Sequence, residues 1–369
     1  MRHTKGYTMY MLRAGLTLLV LLFAACVAPS GTTAPAQPAA TQPAQQEESA
    51  AETEAGSDTE LIPVRFGAVA GASQAYIPLL LEQKGIDAKY GLDVEIVPLS
   101  QVTQLWTGLQ TGDFDVSASN FLDLLRQRQA GLEVKAIRGF SRFGNPIVTT
   151  ADKPYETLPD LAGAKFGTVS TAVLDWMVIR AAGVKAYGFD VETDAVPTTA
   201  SPPLIGELLL NGELDAAWQF SDFTLQPLQE GTLKEITNVA ELMVEAGFDP
   251  DAFYLTYQLA DRWREEHPDA VAPLIAAMDE AVELIMTDDS IWPELAAYSG
   301  MENEELLPAF IEMQREAFDT QFTEDKLAPT QALLDELIQV VGEEPIAVTT
   351  VDPEAFDFAS NQAAKELRQ

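Results

Sequence analysis

Gly112-Asp113-Phe114-Asp115-Val116 and, further along the chain, Gly212-Glu213-Leu214-Asp215-Ala216 decide the fold. Each follows a run with apolar residues at helical spacing and opens a run of β-formers. Glycine closes the helix in both cases. One motif used twice, each time between a helix and a strand, predicts two lobes of similar topology. Around the first copy the pattern predicts strands at 64–69, 93–99, 115–118 and 134–138, with helices at 76–84, 103–110 and 122–130. Around the second it predicts strands at 147–150, 165–169, 195–197 and 215–219, with helices at 171–182 and 204–210. Short helices alternating with strands imply βαβ units and mostly parallel sheets. After Tyr254-Leu255-Thr256-Tyr257 the chain turns helical and acidic, over 268–287, 291–298, 304–318 and 327–341, with a last turn and helix in 352–369. The expected division is 61–141 plus 256–341 for lobe I, 146–253 for lobe II, and 342–369 as a C-terminal segment.

The chain has 369 residues, 47% of them hydrophobic, and a formal net charge of −35. That length supports two lobes with real cores. The charge repels phosphate, so nucleic acid is excluded as a partner. One cysteine, Cys26, rules out an internal disulfide and a cysteine-rich zinc site. The two histidines are His3 and His267. His267 sits in a polar helix-end pattern and reads as a surface residue. Little remains for a catalytic triad. No metal and no cofactor are expected.

The first residues carry Arg2, Lys5 and Arg13, then an apolar run over 16–25. This is a secretory signal pattern, too short for a comfortable membrane span. It ends Leu22-Phe23-Ala24-Ala25-Cys26, which resembles a bacterial lipobox, whose cysteine is diacylated and becomes the new N-terminus. Residues 26–60 are mostly Pro, Ala, Thr, Gln, Ser and Glu, a composition that cannot bury enough surface to fold. The expectation is a signal peptide at 1–25, a lipidated flexible stalk at 26–60, and a body leashed to the outer face of the cytoplasmic membrane. The lipid would be its only membrane contact.

Lys84-Gly85, then Lys89-Tyr90-Gly91-Leu92-Asp93-Val94-Glu95-Ile96, form a pattern of a helix ending near Lys-Gly before Gly-Leu-Asp-Val-Glu. With Leu158-Pro159-Asp160-Leu161-Ala162-Gly163 and Asn211-Gly212-Glu213-Leu214-Asp215-Ala216-Ala217-Trp218, it resembles the substrate-binding proteins of nitrate, sulfonate, taurine and thiamine-precursor ABC importers. The resemblance spans residues 64–231. It implies an α/β type II periplasmic-binding-protein fold with a two-strand hinge, a small-molecule ligand in the interlobe cleft, and a permease as partner to a monomer. It implies no catalysis. Thiamine-pyrimidine synthases of similar fold use a histidine and iron, and this chain has too few candidate ligands to match them. An organosulfonate or taurine binder is the alternative within the family, and a sensory role shares the fold.

Ligands of parallel α/β sheets sit beyond the strand carboxyl ends, near helix N-termini. Four loops qualify: Gly71, Ala72, Ser73 and Gln74; Ser119 and Asn120; Ser170 and Thr171, ahead of Asp175; and Trp218, Phe220 and Asp222. Trp218 occupies the Asp-Ala-Ala-Trp position of the resemblance and is read as a stacking ring. Arg142, in the crossover between lobes, is the candidate ligand-facing cation. With Trp176, Trp218 and Phe220 near two aspartates, the ligand expected is a small aromatic or heterocyclic compound.

Overall fold

Asp115 and Asp215 do the same mechanical work in two places. Asp115 donates its backbone N–H to the Arg65 carbonyl at 2.8 Å, and its carboxylate takes the Arg65 N–H at 3.1 Å. Asp215 does this with Lys165, at 2.9 Å in both directions. Each aspartate thereby pins the start of one strand to another. The apolar residue before it fills a hole left by glycine. A Cβ on Gly67 would lie 2.5 Å from the Phe114 ring, and one on Gly167 would lie 2.7 Å from Leu214.

The computed structural model describes residues 60–101 and 103–369; the expected signal peptide, Cys26 and the expected stalk up to residue 59 lie outside the described residues. The strands are β1 (Ile62–Val69), β2 (Leu92–Leu99), β3 (Val116–Asn120), β4 (Val134–Ser141), β5 (Pro146–Thr150), β6 (Lys165–Thr168), β7 (Val196–Thr199), β8 (Ala216–Trp218), β9 (Leu233–Asn238) and β10 (Leu255–Ala260). They form two five-stranded sheets, ordered β2-β1-β3-β10-β4 and β7-β6-β8-β5-β9. The motif aspartates sit just ahead of β3 and β8, which take equivalent places.

The sheets are less parallel than the sequence suggests. β1 pairs parallel with β2 and β3, and β6 with β7 and β8. β10 runs antiparallel between β3 and β4, and β5 between β8 and β9. In each sheet the antiparallel strand is the one delivered by the chain crossing from the other lobe. The sequence pattern gave β9 and β10 no separate signal. β10 is buried along most of its length, so no polar face alternates along it.

The helix Val271–Thr287 packs on the helix Tyr76–Gln83 and on the final helix Phe358–Leu367, which places the C-terminal segment against the first sheet's lobe. Leu327–Val341 behaves differently. It packs along Leu174–Tyr187 of the second lobe, and Lys185 pairs with Glu336 there. One apolar cluster runs from Phe114 and Phe121 through Trp176 and Trp218 to Leu334 and Phe356, so the lobes share a core at their junction.

Candidate interlobe site

The chain crosses between lobes at residues 142–145 and again between β9 and β10. Beside the crossovers lies a buried polar knot. Asp175, 3% exposed at the start of the helix Leu174–Tyr187, accepts from the Tyr254 hydroxyl at 2.6 Å and from Asn145 Nδ2 at 3.3 Å. Asn145 stands on the first crossover and Tyr254 at the end of the second. Phe143, also on the first crossover, packs on Tyr254 with ring centroids 4.4 Å apart. Asn145 Oδ1 also takes the Ser221 N–H and hydroxyl, each at 3.4 Å. One lobe-II carboxylate therefore gathers both hinge segments.

Burial is the main cause that pushes the Asp175 carboxyl up, to about 6, against donors that favour its ionised form. Burial and the charge of Asp175 push the Tyr254 phenol well above its usual range. An aspartate in an unfolded chain titrates near ~3.9. The folded state thus holds the proton more tightly. Ionising Asp175 costs stability, a cost absent below about pH 4 and complete above about pH 6. Asp175→Asn is expected to raise stability at pH 7.5 by on the order of 2 kcal/mol and to change little near pH 4. Denaturant melts at the two pH values check this. Equal loss at both would mean the network needs a carboxylate acceptor more than it suffers from the charge.

Asp222 spans the cleft. Its Oδ1 takes Gln314 Nε2 at 2.7 Å, and Gln314 is buried in the helix Leu307–Ala317 that packs on lobe I. Asp222 is open to solvent yet crowded by atoms of both lobes, so burial raises its carboxyl while Gln314 opposes. Its charge reaches Tyr76 on lobe I, where it adds to burial in raising the phenol. No cation contributes to the shift of Asp175 or of Asp222.

The other expected residues divide by place. Gly71 takes a left-handed φ of 79°, Ala72 N–H closes the turn onto Val69, and Ser73 and Gln74 begin the short turn into Tyr76–Gln83. All four are half-buried, and the Gln74 carbonyl accepts from Tyr257 at 2.8 Å. Asn120 caps the helix Phe121–Gln129 by accepting from Asp123 N–H at 2.9 Å. Ser119 is buried and accepts from the Trp106 indole N–H at 3.3 Å. Ser170 Oγ takes the Ala172 N–H at 3.1 Å, and Thr171 is exposed. The helix predicted from 171 starts only at Leu174, because 170–173 form the turn.

Two expected residues have protein partners in this conformation. Trp218 is 1% exposed in β8, its ring edge-on to half-buried Phe220 with centroids 5.2 Å apart. Its indole N–H lies close enough to Asp175 to favour the ionised carboxylate, without forming a hydrogen bond of good geometry. In this conformation it is a core ring and presents no free face. Arg142 lies 3.9 Å from Asp319, whose other oxygen holds Lys326 at 2.6 Å, and its N–H donates to the Ala317 carbonyl at 2.9 Å. It ties the crossover to the C-terminal helices. Asn145, Tyr254, Gln314 and Trp106 are the members that sequence reading missed. Asn145 and Tyr254 flank the crossovers, a position the segmentation into lobes did mark.

Two surface cavities lie apart from this knot. One of about 390 Å³ is lined by Arg138, Asp279, Asp319 and Lys365 among others, and by none of the expected site residues. One of about 330 Å³ includes Thr171 with Arg126 and Arg180, whose guanidinium groups are held by Ile346, Pro345, Asp123 and Asp190. Among the described residues no group of acidic, histidine or cysteine side chains is placed to hold a metal, and no helix is long and apolar enough to cross a membrane.

Two lobes of matching topology, joined by two crossovers with a cleft at the strand carboxyl ends, define the periplasmic-binding-protein fold. The chain belongs to the NMT1/THI5-like family, whose pattern it matches over residues 75–290. A protein of Brucella abortus (strain 2308) designated a binding protein is 25% identical over 224 residues, 60% of this chain and 66% of that one. The chain thus spans just under two thirds of that relative's length. Among solved structures, the periplasmic aliphatic sulphonate binding protein SsuA of Escherichia coli superposes with a TM-score of 0.64 at 14% identity, over 78% of this chain and 90% of that one. The alkanesulfonate-binding SsuA of Xanthomonas axonopodis pv. citri, bound to MOPS, gives 0.63 at 16%, over 80% and 98%. The periplasmic nitrate-binding protein NrtA of Synechocystis PCC 6803 gives 0.62 at 14%, over 84% and 89%.

Proposed function

We propose that the chain is the extracytoplasmic solute-binding component of an ABC importer. It captures a small organic, aromatic or heterocyclic ligand between its lobes and delivers it to a permease as a monomer. The observation that carries this reading is a set of contacts at the lobe junction: Asp175 bonds both hinge segments, and Asp222 bonds Gln314 of the other lobe. Closing the lobes on a ligand would therefore act directly on these contacts. Among the described residues neither carboxylate has a cation beside it, which favours a ligand carrying N–H donors over a bare oxyanion. A thermal-shift screen against sulfonates, pyrimidines, flavins and aromatic acids tests the assignment. A binder of the folded state adds on the order of 3 kcal/mol at a hundredfold excess over Kd. Stabilisation by sulfonates alone would favour the organosulfonate reading, and turnover of any compound, seen by mass spectrometry, would favour an enzyme.

The leader belongs to the same reading. Export followed by diacylation at Cys26 would hold the body on the outer face of the cytoplasmic membrane, and two acyl chains suffice for stable anchoring. Cys26→Ser is expected to leave the body folded and release it from the membrane fraction. Unchanged association of the variant with membranes would remove the lipid anchor from the account.

A further inference from the structure

The chain has five tryptophans, and Trp106 alone among them is exposed, at 37%. It stands in the first turns of the helix Thr103–Thr111, which follows the carboxyl end of β2. Its indole N–H is spent on the Ser119 hydroxyl near the carboxyl end of β3, so the ring is fixed beside that strand end. Behind Ser119 the same sheet face is polar. Ser119 opposes Thr256 and Ser117 opposes Gln258 across the β3–β10 pair, and directly opposed residues share a face. All four are buried. Ser117 Oγ, Thr256 Oγ1 and Gln258 Oε1 have no hydrogen-bond partner among the described residues. Gln258 Nε2 reaches the Asn120 carbonyl at 3.5 Å, so the amide leans toward the cleft end of the sheet. Folded proteins seldom leave three such groups together unpaired, and unpaired buried groups point to a missing bound molecule.

We propose that Trp106 and Ser119, with Gln258 behind them, form the lobe-I half of the ligand site. Gln258 is fully buried in this conformation, so the ligand reaches it only when the lobes part. There the ligand presents the N–H- or O–H-bearing edge of a planar, uncharged molecule. This rests on the binding reading above and adds its chemistry. Gln258 Oε1 only accepts, and Asp222 across the cleft also accepts while ionised. Nitrate and sulfonate have no donor to offer either group. The Trp106 ring supplies a flat cover, positioned by Ser119 and free to stack.

Acrylamide quenching reads Trp106 directly, because the other four tryptophans are buried and a neutral quencher is not repelled by the acidic surface. Cytosine, methanesulfonate and nitrate serve as probes on the purified chain. Trp106→Phe is expected to abolish most of the quenching. Cytosine is expected to raise the melting temperature of the native chain and to shield Trp106. Trp106→Ala and Gln258→Leu are expected to weaken cytosine binding roughly tenfold or more, as loss of a stacking or hydrogen-bonding partner does. Gln258→Leu should do so with little change in the melting temperature of the free protein, since it removes an unpaired acceptor along with only a long, 3.5 Å bond to the Asn120 carbonyl. Shielding of Trp106 by methanesulfonate or nitrate would overturn the donor requirement. Cytosine stabilisation with quenching unchanged, or with Trp106→Ala binding as tightly, would overturn the subsite and leave the binding function standing. No response to any of the three overturns the subsite, and the wider screen then decides separately whether the binding function survives.

Discussion

Trp218→Ala is expected to lower stability by about 3–5 kcal/mol, the range for losing a fully buried large ring. The indole is 1% exposed, sits in the cluster shared by both lobes, and meets Phe220 edge-on. Its neighbour Asp175 also loses an N–H that favours its charge. For a body of this size the melting temperature should fall by roughly 10 °C. Ligand affinity should fall too, through displacement of Phe220 and the hinge knot, and less than through loss of Trp106. Calorimetric melting beside ligand titration separates these effects. A variant that melts like the native chain and loses binding would make Trp218 a ligand-stacking ring after all.

Phe114→Ala should be as costly in stability, about 3–5 kcal/mol, and almost silent in binding. Phe114 is fully buried, and two glycines make room for it: a Cβ on Gly108 would sit 2.0 Å from its ring and one on Gly67 2.5 Å. The glycines have no side chains that could swing in to fill the hole, so the cavity would persist. Lobe I would be weakened at the strand that bears Ser119, while every cleft residue keeps its identity. A Phe114→Leu variant should recover much of the loss. Retained stability in Phe114→Ala, checked by denaturant titration, would mean the helix Thr103–Thr111 collapses onto β1.

Why the repeated motif reads so clearly is now physical. Glycine ends a helix, an apolar side chain fills a gap over a glycine in the neighbouring strand, and an aspartate bonds that strand both ways. These demands are local and recur in both lobes, so they leave a signature in the chain. The direction of the antiparallel strands β5 and β10 leaves none, because it is set by which lobe the chain comes from. The site was half legible. The loops at 71–74, 119–120, 170–171 and 218–222 could be placed from strand ends alone. Asn120 also caps a helix and Arg142 also lies 3.9 Å from Asp319, since polar residues at strand ends serve capping and binding with the same atoms. Asn145 and Tyr254 escaped because their importance comes from a shared partner, Asp175, distant from both in sequence. Trp106 reads as an ordinary helix aromatic until Ser119 is seen beneath it.

The central claim is that a small molecule binds between the lobes, and hydrogen-exchange mass spectrometry with and without a stabilising compound tests it most directly. The account predicts added protection in 71–76, 119–121, 142–145, 170–175 and 218–222, with the C-terminal helix Phe358–Leu367 unchanged. Protection confined to the segments lining the cavity of Arg138, Asp279, Asp319 and Lys365, with the crossovers unaffected, would contradict it.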